Sequence, residues 1–314
     1  MDIQVLISNL TNPTLLFFLL GIMATLVKSD LQIPESSSKF ISLYLLFAIG
    51  FKGGQELSHS TFTAEIGYSL LFGLAMSALI PIYSFFILKR KLSVSDSCAV
   101  AAAFGSVSAV TFVAASSYLE AQNITFGGHM VAVMALMEAP AIIVAVMLMD
   151  RYDDDAATNR NIWEIARHSL TNGSVLMVIG SLIIGLVADS KQAEGIKPFT
   201  TDIFKGFLAI FLLDMGMITA RRYGWFVTAS AILIPAINGS LAAILSGLFT
   251  QDVGNQTIFG VLAASASYIA VPAAMRLAAP KADPGLYIPV ALGVTFPFNI
   301  TIGLPLYYYL ARTF

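Results

Sequence analysis

The chain has 314 residues, of which 57% are hydrophobic and 11% charged, with a net charge of −2 and a mean hydropathy of +0.80. Soluble domains carry roughly 25% charged residues, so this composition excludes a water-soluble globule and points to an integral membrane protein. The net charge by itself says nothing about a nucleic-acid partner and no basic tract suggests one, so none is expected, and the single cysteine, Cys98, excludes an intrachain disulfide framework and a cysteine metal cluster.

Apolar runs of about 20 residues favour membrane helices over a β-barrel, whose strands alternate over about ten. The start, MDIQVLISNLTNP, lacks the basic region of a cleavable signal. In chain order the polar breaks leave ten predicted spans, at about 13–28, 38–56, 64–88, 96–119, 128–149, 173–189, 200–219, 224–249, 256–279 and 284–311. Glycine and charge intrude on the second and the seventh.

Orientation follows from Lys and Arg. With the amino terminus outside, the inner side holds Lys28, Lys39, Lys89, Arg90, Lys91, Arg151, Arg160, Arg167, Arg221, Arg222, Arg276 and Lys281. The outer side holds only Lys52, Lys191, Lys197, Lys205 and Arg312. That bias predicts an inner-membrane, multi-pass protein with both termini outside.

The chain divides at a polar segment, giving a first unit at 1–150, a cytoplasmic linker at 151–172 and a second unit at 173–314. Five helices per half is an odd number, so the second half enters from the opposite side. The fold class predicted is therefore all-α: ten transmembrane helices as two inverted five-helix repeats. The acidic run at 153–155 reads as a solvated loop, with docking of a cytosolic partner as the alternative.

The fourth span centres on 101–120, AAAFGSVSAVTFVAASSYLE, a poor ordinary helix. Gly105 removes a side chain, Ser106, Ser108 and Thr111 offer competing hydrogen bonds, and Val107, Val110 and Val113 are β-branched. The ninth span holds 262–279, LAASASYIAVPAAMRLAA, of the same form. An offset of 159 residues puts Ser106 on Ser265, Ser108 on Ser267 and Val113 on Pro272. Gly21 falls on Gly180, and Pro140 falls close to Pro297. Interrupted hydrophobic segments at matching places of two halves point to a transporter's binding site.

Half-helix amino termini present unpaired N–H groups and a positive dipole end, which suits an anion. The unwound turns also expose carbonyls, and the serines and Thr111 add hydroxyl oxygens suited to sodium. Glu138, beside Ala139-Pro140 in the fifth span, combines a carboxylate with a proline-freed carbonyl, chemistry for a hard cation or a proton. A structural carboxylate capping a broken helix is the alternative. Thr295, Pro297 and Asn299 occupy the same place in the second half and supply neutral oxygens.

Asp214 reads as an acid that reaches the interface or pairs with Arg221 or Arg222, and Lys52 as a snorkelling lysine. His59 and His129 fall in predicted outer loops and His168 in the linker, without metal-ligand spacing. No G-x-S-x-G, H-E-x-x-H or P-loop occurs, so neither an enzyme nor an ATP-driven pump is expected.

At these residues the chain resembles the sodium-dependent bicarbonate transporter family, best known from cyanobacteria, over its whole length. The resemblance is carried by IGFKGG at 49–54, FGSVSAVT at 104–111, MEAP at 137–140, MGM at 215–217 and AASASYIAVP at 263–272. The segment 284–287 followed by Pro297 fits as well. It implies ten helices in two inverted repeats with crossing broken helices four and nine, similar in plan to bile-acid-type sodium symporters, and usually a homotrimer.

By resemblance the anion lies between the breaks at Gly105, Ser106, Ser108 and Ser267, with sodium near Thr111, Glu138 and Ser265. Cyanobacterial members carry Asp where Glu138 stands, and an aspartate followed by serine and glycine where this chain has Tyr268, Ala270 and Val271. Tyr268 therefore enters the substrate site, and Thr295 and Asn299 join the sodium set. Cyanobacterial members also take a nitrogen-signalling-type regulatory partner, for which the polar segment here is short.

The resulting expectation is a secondary transporter using sodium as coupling ion, with bicarbonate as first choice and no other cofactor. The alternatives are sodium- or proton-coupled carriage of another small carboxylate, with Tyr268 lining a larger pocket, and, from another class, a non-transporting ion-binding sensor or scaffold.

Overall fold

The computed structural model describes residues 13–58, 63–153, 167, 171, 173–218, 224–268 and 270–314. His59, His168, Arg160, Arg221, Arg222 and the acidic residues after Asp153 lie outside them. Among the described residues the regular structure is helical throughout, without strands. The principal helices are α1 (Pro13–Leu26), α2 (Glu35–Ser58), α3 (Ala64–Leu88), α4 (Val94–Gly105), α5 (Ala109–Ala121), α6 (His129–Leu136) and α7 (Glu138–Tyr152). They continue with α8 (Gly173–Val187), α9 (Phe204–Ile218), α10 (Trp225–Ser246), α11 (Val253–Ala264), α12 (Ala270–Ala278), α13 (Pro284–Val290) and α14 (Leu304–Thr313).

Five runs are long and apolar enough to cross a membrane: Ala64–Leu88, Val94–Ala121, His129–Tyr152, Trp225–Ser246 and Pro284–Thr313. Leu16–Leu26, Leu176–Val187 and Val253–Ala264 are apolar but shorter. Five of the ten expected spans thus meet the criterion outright. The others fall short for a simple reason. A helix of 15 residues such as α8 or α9 rises only about 22 Å against a hydrocarbon core of about 30 Å. The α2 helix has the length but carries Lys39, Lys52 and Glu56.

Two helix pairs owe their close contact to glycine. A Cβ on Gly21 of α1 would strike Leu213 O and the Met217 N of α9, 2.9 Å away, while Gly216 of α9 faces Phe18 O in return. Gly54 of α2 and Gly185 of α8 meet in the same manner. Lipid gives helices no hydrophobic reason to associate, so close backbone approach through small residues supplies the packing. Tyr44 then ties α2 to the α9 side, its ring 4.5 Å from Phe207 and its hydroxyl donating to Phe199 O.

The remaining helices form a second group around α4, which is buried along its length. Its start is capped by Ser93, whose hydroxyl accepts from Asp96 N at 3.1 Å; that of α11 is capped by Asp252, which accepts from Asn255 N at 2.7 Å. The α4 and α11 helices have 12 residues each, and their first, last and capping residues all stand 159 positions apart. Both end in extended backbone, at Ser106 and Ser265.

Helix ends meet in two sets. Asn255 Nδ2 donates to Glu65 at 3.1 Å, Gly127 N to Asn255 Oδ1 at 2.8 Å, and Gln55 Nε2 to Ala188 O at 3.0 Å. In the other set Asp283 N donates to Asp96 at 2.8 Å, the Lys89 ammonium sits 4.1 Å over the Tyr152 ring, and Thr25 donates to Met217 O at 2.8 Å.

Candidate functional site

The two breaks touch. Ser108 N donates to Ser265 Oγ at 3.0 Å, and Ser267 N donates to Ala103 O at 2.9 Å. Each break therefore satisfies a backbone group that the other's interruption left without a helical partner. Two helix amino termini, of α5 and α12, and two carboxyl termini, of α4 and α11, converge on one buried place. Positive and negative dipole ends in one spot can receive an anion and a cation side by side.

The hydroxyls are used unequally. Ser265 Oγ accepts from Ser108 and donates to Leu262 O at 2.9 Å. Ser267 Oγ accepts from Val271 N at 3.4 Å, and Ser108 Oγ accepts from Thr111 N at 3.1 Å, capping α5. By contrast Ser106 Oγ and Thr111 Oγ1 are buried without a hydrogen-bond partner, in residues 0% and 1% exposed. Ala103 O, 159 positions before Leu262 O, accepts from Ser267 N and not from the Ser106 hydroxyl, whereas Leu262 O accepts from that of Ser265.

Tyr268 packs its ring on Phe296 at 6.2 Å, and its buried hydroxyl, beside the Ser108 side chain, forms no well-made hydrogen bond. An unpaired buried polar group is costly, so these three hydroxyls are candidates for contact with something bound.

Gly105 ends α4 where a Cβ would meet the Pro81 ring and, at 3.1 Å, Ala141 Cβ. Its position is explained by this close approach of α3 and α7. Glu138 opens α7 one turn before Ala141, half-buried, and its carboxylate has no hydrogen-bond or ion-pair partner among the described residues. The chain bends at Met137 between α6 and α7, where Ser77 Oγ donates to Met137 O.

Thr295 and Asn299 hold the frame of the crossing. Thr295 donates to Ala231 O at 2.9 Å, and Asn299 Nδ2 donates to Ala264 O at 2.7 Å while its Oδ1 accepts from Tyr307 at 3.1 Å. Asn299 thereby secures the last residue of α11. Sequence reasoning missed that restraint, along with the bond from the Tyr83 hydroxyl to Asn238 that joins α3 to α10.

A family model described as the Na+-dependent bicarbonate transporter superfamily matches residues 13–312 of the chain. The chain belongs to the Na+-dependent bicarbonate transporter superfamily. No curated protein matches it in sequence. Of the unpaired hydroxyls at the touching breaks, those of Ser106 and Thr111 belong to the first break and that of Tyr268 to the second.

Outside the crossing, Asp214 and Lys52 gain detail and His129 departs from its sequence reading. Asp214 is buried and accepts a hydrogen bond from Ser38, the arginines first considered for it lying outside the described residues. His129, expected in a loop, opens α6 and is only 7% exposed, because Gly128 brings the turn against Gly53 O of α2. Lys52 is exposed on α2, as a snorkelling lysine would be, and also lines a cavity.

Proposed function

We infer that this membrane protein is a sodium-coupled secondary transporter of a small anion, with bicarbonate as the anion, working by alternating access. The observation that carries the reading is the pair of mutually bonded breaks with Ser106, Thr111 and Tyr268 left unpaired in the buried crossing. In this reading the anion sits at the α5 and α12 amino termini, near Gly105, Ser106, Ser108, Ser267 and Tyr268. Sodium binds beside it through the Thr111 and Ser265 oxygens and the Glu138 carboxylate, with Thr295 and Asn299 closing the far side. A hydroxyl that donates its only proton keeps lone pairs for a cation. Sodium offsets the anion's charge and orders the broken turns, so each ion binds better when the other is present.

The architecture proposed with it is ten spans in two inverted five-helix units, 1–150 and 173–314, joined by a linker at 151–172, in the inner membrane with both termini outside. Support comes from the equal lengths and 159-residue spacing of α4 and α11 and from the contacts between helix ends. Each of those contacts joins ends that the Lys and Arg distribution assigns to one face.

Reconstituted flux of labelled bicarbonate and a panel of small carboxylates, with a sodium gradient or with choline in its place and at several pH values, tests the reading. Bicarbonate uptake driven by sodium is the expected result. Uptake indifferent to sodium but following the pH gradient would move the coupling to a proton on Glu138, and binding without flux would remove the transporter.

A further inference from the structure

A cavity of about 680 Å³ lies between the two helix groups, away from the crossing. One wall is α2 and α9 with the turn before it, contributing Lys52, Glu56, Thr200 and Lys205; the other is the end of α5, the 123–128 loop and the start of α6. Both cations come from the first wall. Across the gap Lys205 Nζ stands 3.2 Å from Glu120 Oε2, with the two side chains 56% and 51% exposed. An ion pair this wet adds little to stability and exchanges readily. Lys52 faces Glu56 one turn along α2 and has no carboxylate at ion-pair distance among the described residues.

Ser116, in the cavity lining, is five residues beyond Thr111, an axial rise of about 7.5 Å. That lining thus includes the carboxyl-terminal part of the helix whose amino terminus forms half of the crossing, and its charges are Lys52 and Lys205 with Glu56 and Glu120. Low-dielectric walls strengthen the pull of a lysine on an anion once its carboxylate partner has swung away.

We propose that this cavity is the anion's approach to the crossing and that Lys52 and Lys205 are its capture residues, Glu120 being the carboxylate that an arriving anion displaces from Lys205. The proposal rests on reading the chain as an anion transporter. Lysine suits the task because a flexible stem carries a point charge that can leave one carboxylate for another anion. The Lys205–Glu120 pair also spans the two helix groups, so it reforms once the anion has passed inward.

Two measurements on the full chain in liposomes test this. In the first, Lys205→Gln and Lys52→Gln raise the KM for bicarbonate about threefold to tenfold at unchanged kcat, a change of steering and capture. Lys205→Arg restores it, and Glu120→Gln lowers KM by freeing Lys205. A fall in kcat at unchanged KM would make the pair a structural strut and overturn the proposal.

The second needs no transport. Ser116→Cys, or Thr201→Cys on the opposite wall, is labelled with anionic and cationic thiol reagents of equal size, and the wild type, whose Cys98 is buried, serves as blank. The anionic reagent reacts faster, and removing both lysines slows it about threefold or more while the cationic one is not slowed. Equal rates for the two reagents would overturn the proposal whatever the protein carries. A clear bias toward the anionic reagent, lost with the lysines, in a protein without sodium-driven bicarbonate flux keeps capture and removes bicarbonate.

Discussion

The break at Ser106–Ser108 and the break at Ser265–Tyr268 start from the same design and end in different states. Both follow a capped 12-residue helix, both turn extended at a serine, and both send the N–H of the second serine across to the other. In the second break the serine hydroxyls are committed, Ser265 to two bonds and Ser267 to the start of α12, and only that of Tyr268 is open. In the first, Ser106 and Thr111 keep theirs open. The acid is unequal too: Glu138 stands beside the first break, whereas Thr295, Pro297 and Asn299 stand in its place beside the second, with Thr295 and Asn299 bonded to carbonyls. In the proposed reading the first half carries most of the open groups and the second more of the framework, so that a duplicated scaffold would hold a single asymmetric ion pair.

The largest effect that would break this comparison is at Glu138. Glu138→Gln keeps size and removes the only carboxylate proposed at the crossing. Sodium-dependent uptake falls by about tenfold or more, the scale of losing a charged ligand from a low-dielectric site, while insertion and detergent melting temperature stay near wild type. Full uptake would detach Glu138 from the ion.

Gly105→Ala tests the same contrast through packing, since the equivalent position is already Ala264. The added methyl meets the Pro81 ring and Ala141, an overpacking that costs about 1–3 kcal/mol. Melting temperature drops and uptake declines with the amount of folded protein; an unaffected melting temperature would mean that α3 and α7 yield easily at this point.

The serine pair separates ligand from support. Ser265→Ala strands the Ser108 N–H inside the crossing, at a cost of about 1–3 kcal/mol, and also removes a proposed sodium ligand, so melting temperature and sodium affinity fall together. Ser106→Ala breaks no bond within the protein. It leaves the melting temperature alone and weakens sodium or anion binding by about fivefold, equivalent to ~1 kcal/mol. Identical phenotypes would erase the distinction between the halves.

The two weakened helices were legible because glycine, β-branched residues and S-x-S are poor helix formers wherever they stand, and the 159-residue offset could be read from the serines alone. Their contact was not, since a hydrogen bond from Ser108 to Ser265 depends on how two distant segments cross. The same limit hid the cavity. Lys52, Glu120 and Lys205 come from three helices, and each alone reads as a surface charge. Thr295 and Asn299 show a subtler gap: their residue types suit sodium and framework alike, and only the carbonyls of Ala231 and Ala264 show what they hold.

The smallest expected effect is the most pointed, because its two readouts move in opposite directions. The Tyr268 hydroxyl is buried without a well-made bond, so Tyr268→Phe removes an unsatisfied group and keeps the ring on Phe296. Stability rises by up to about 1 kcal/mol, the low end of what an unpaired buried polar group costs. If that hydroxyl is held open for the anion, KM for bicarbonate rises about twofold to fivefold in the same variant, the loss of one neutral hydrogen bond. A melting temperature that rises with KM unchanged makes Tyr268 a wall of the pocket. A melting temperature that falls shows that Ser108 and Tyr268 support each other, and the second break then contributes nothing but structure.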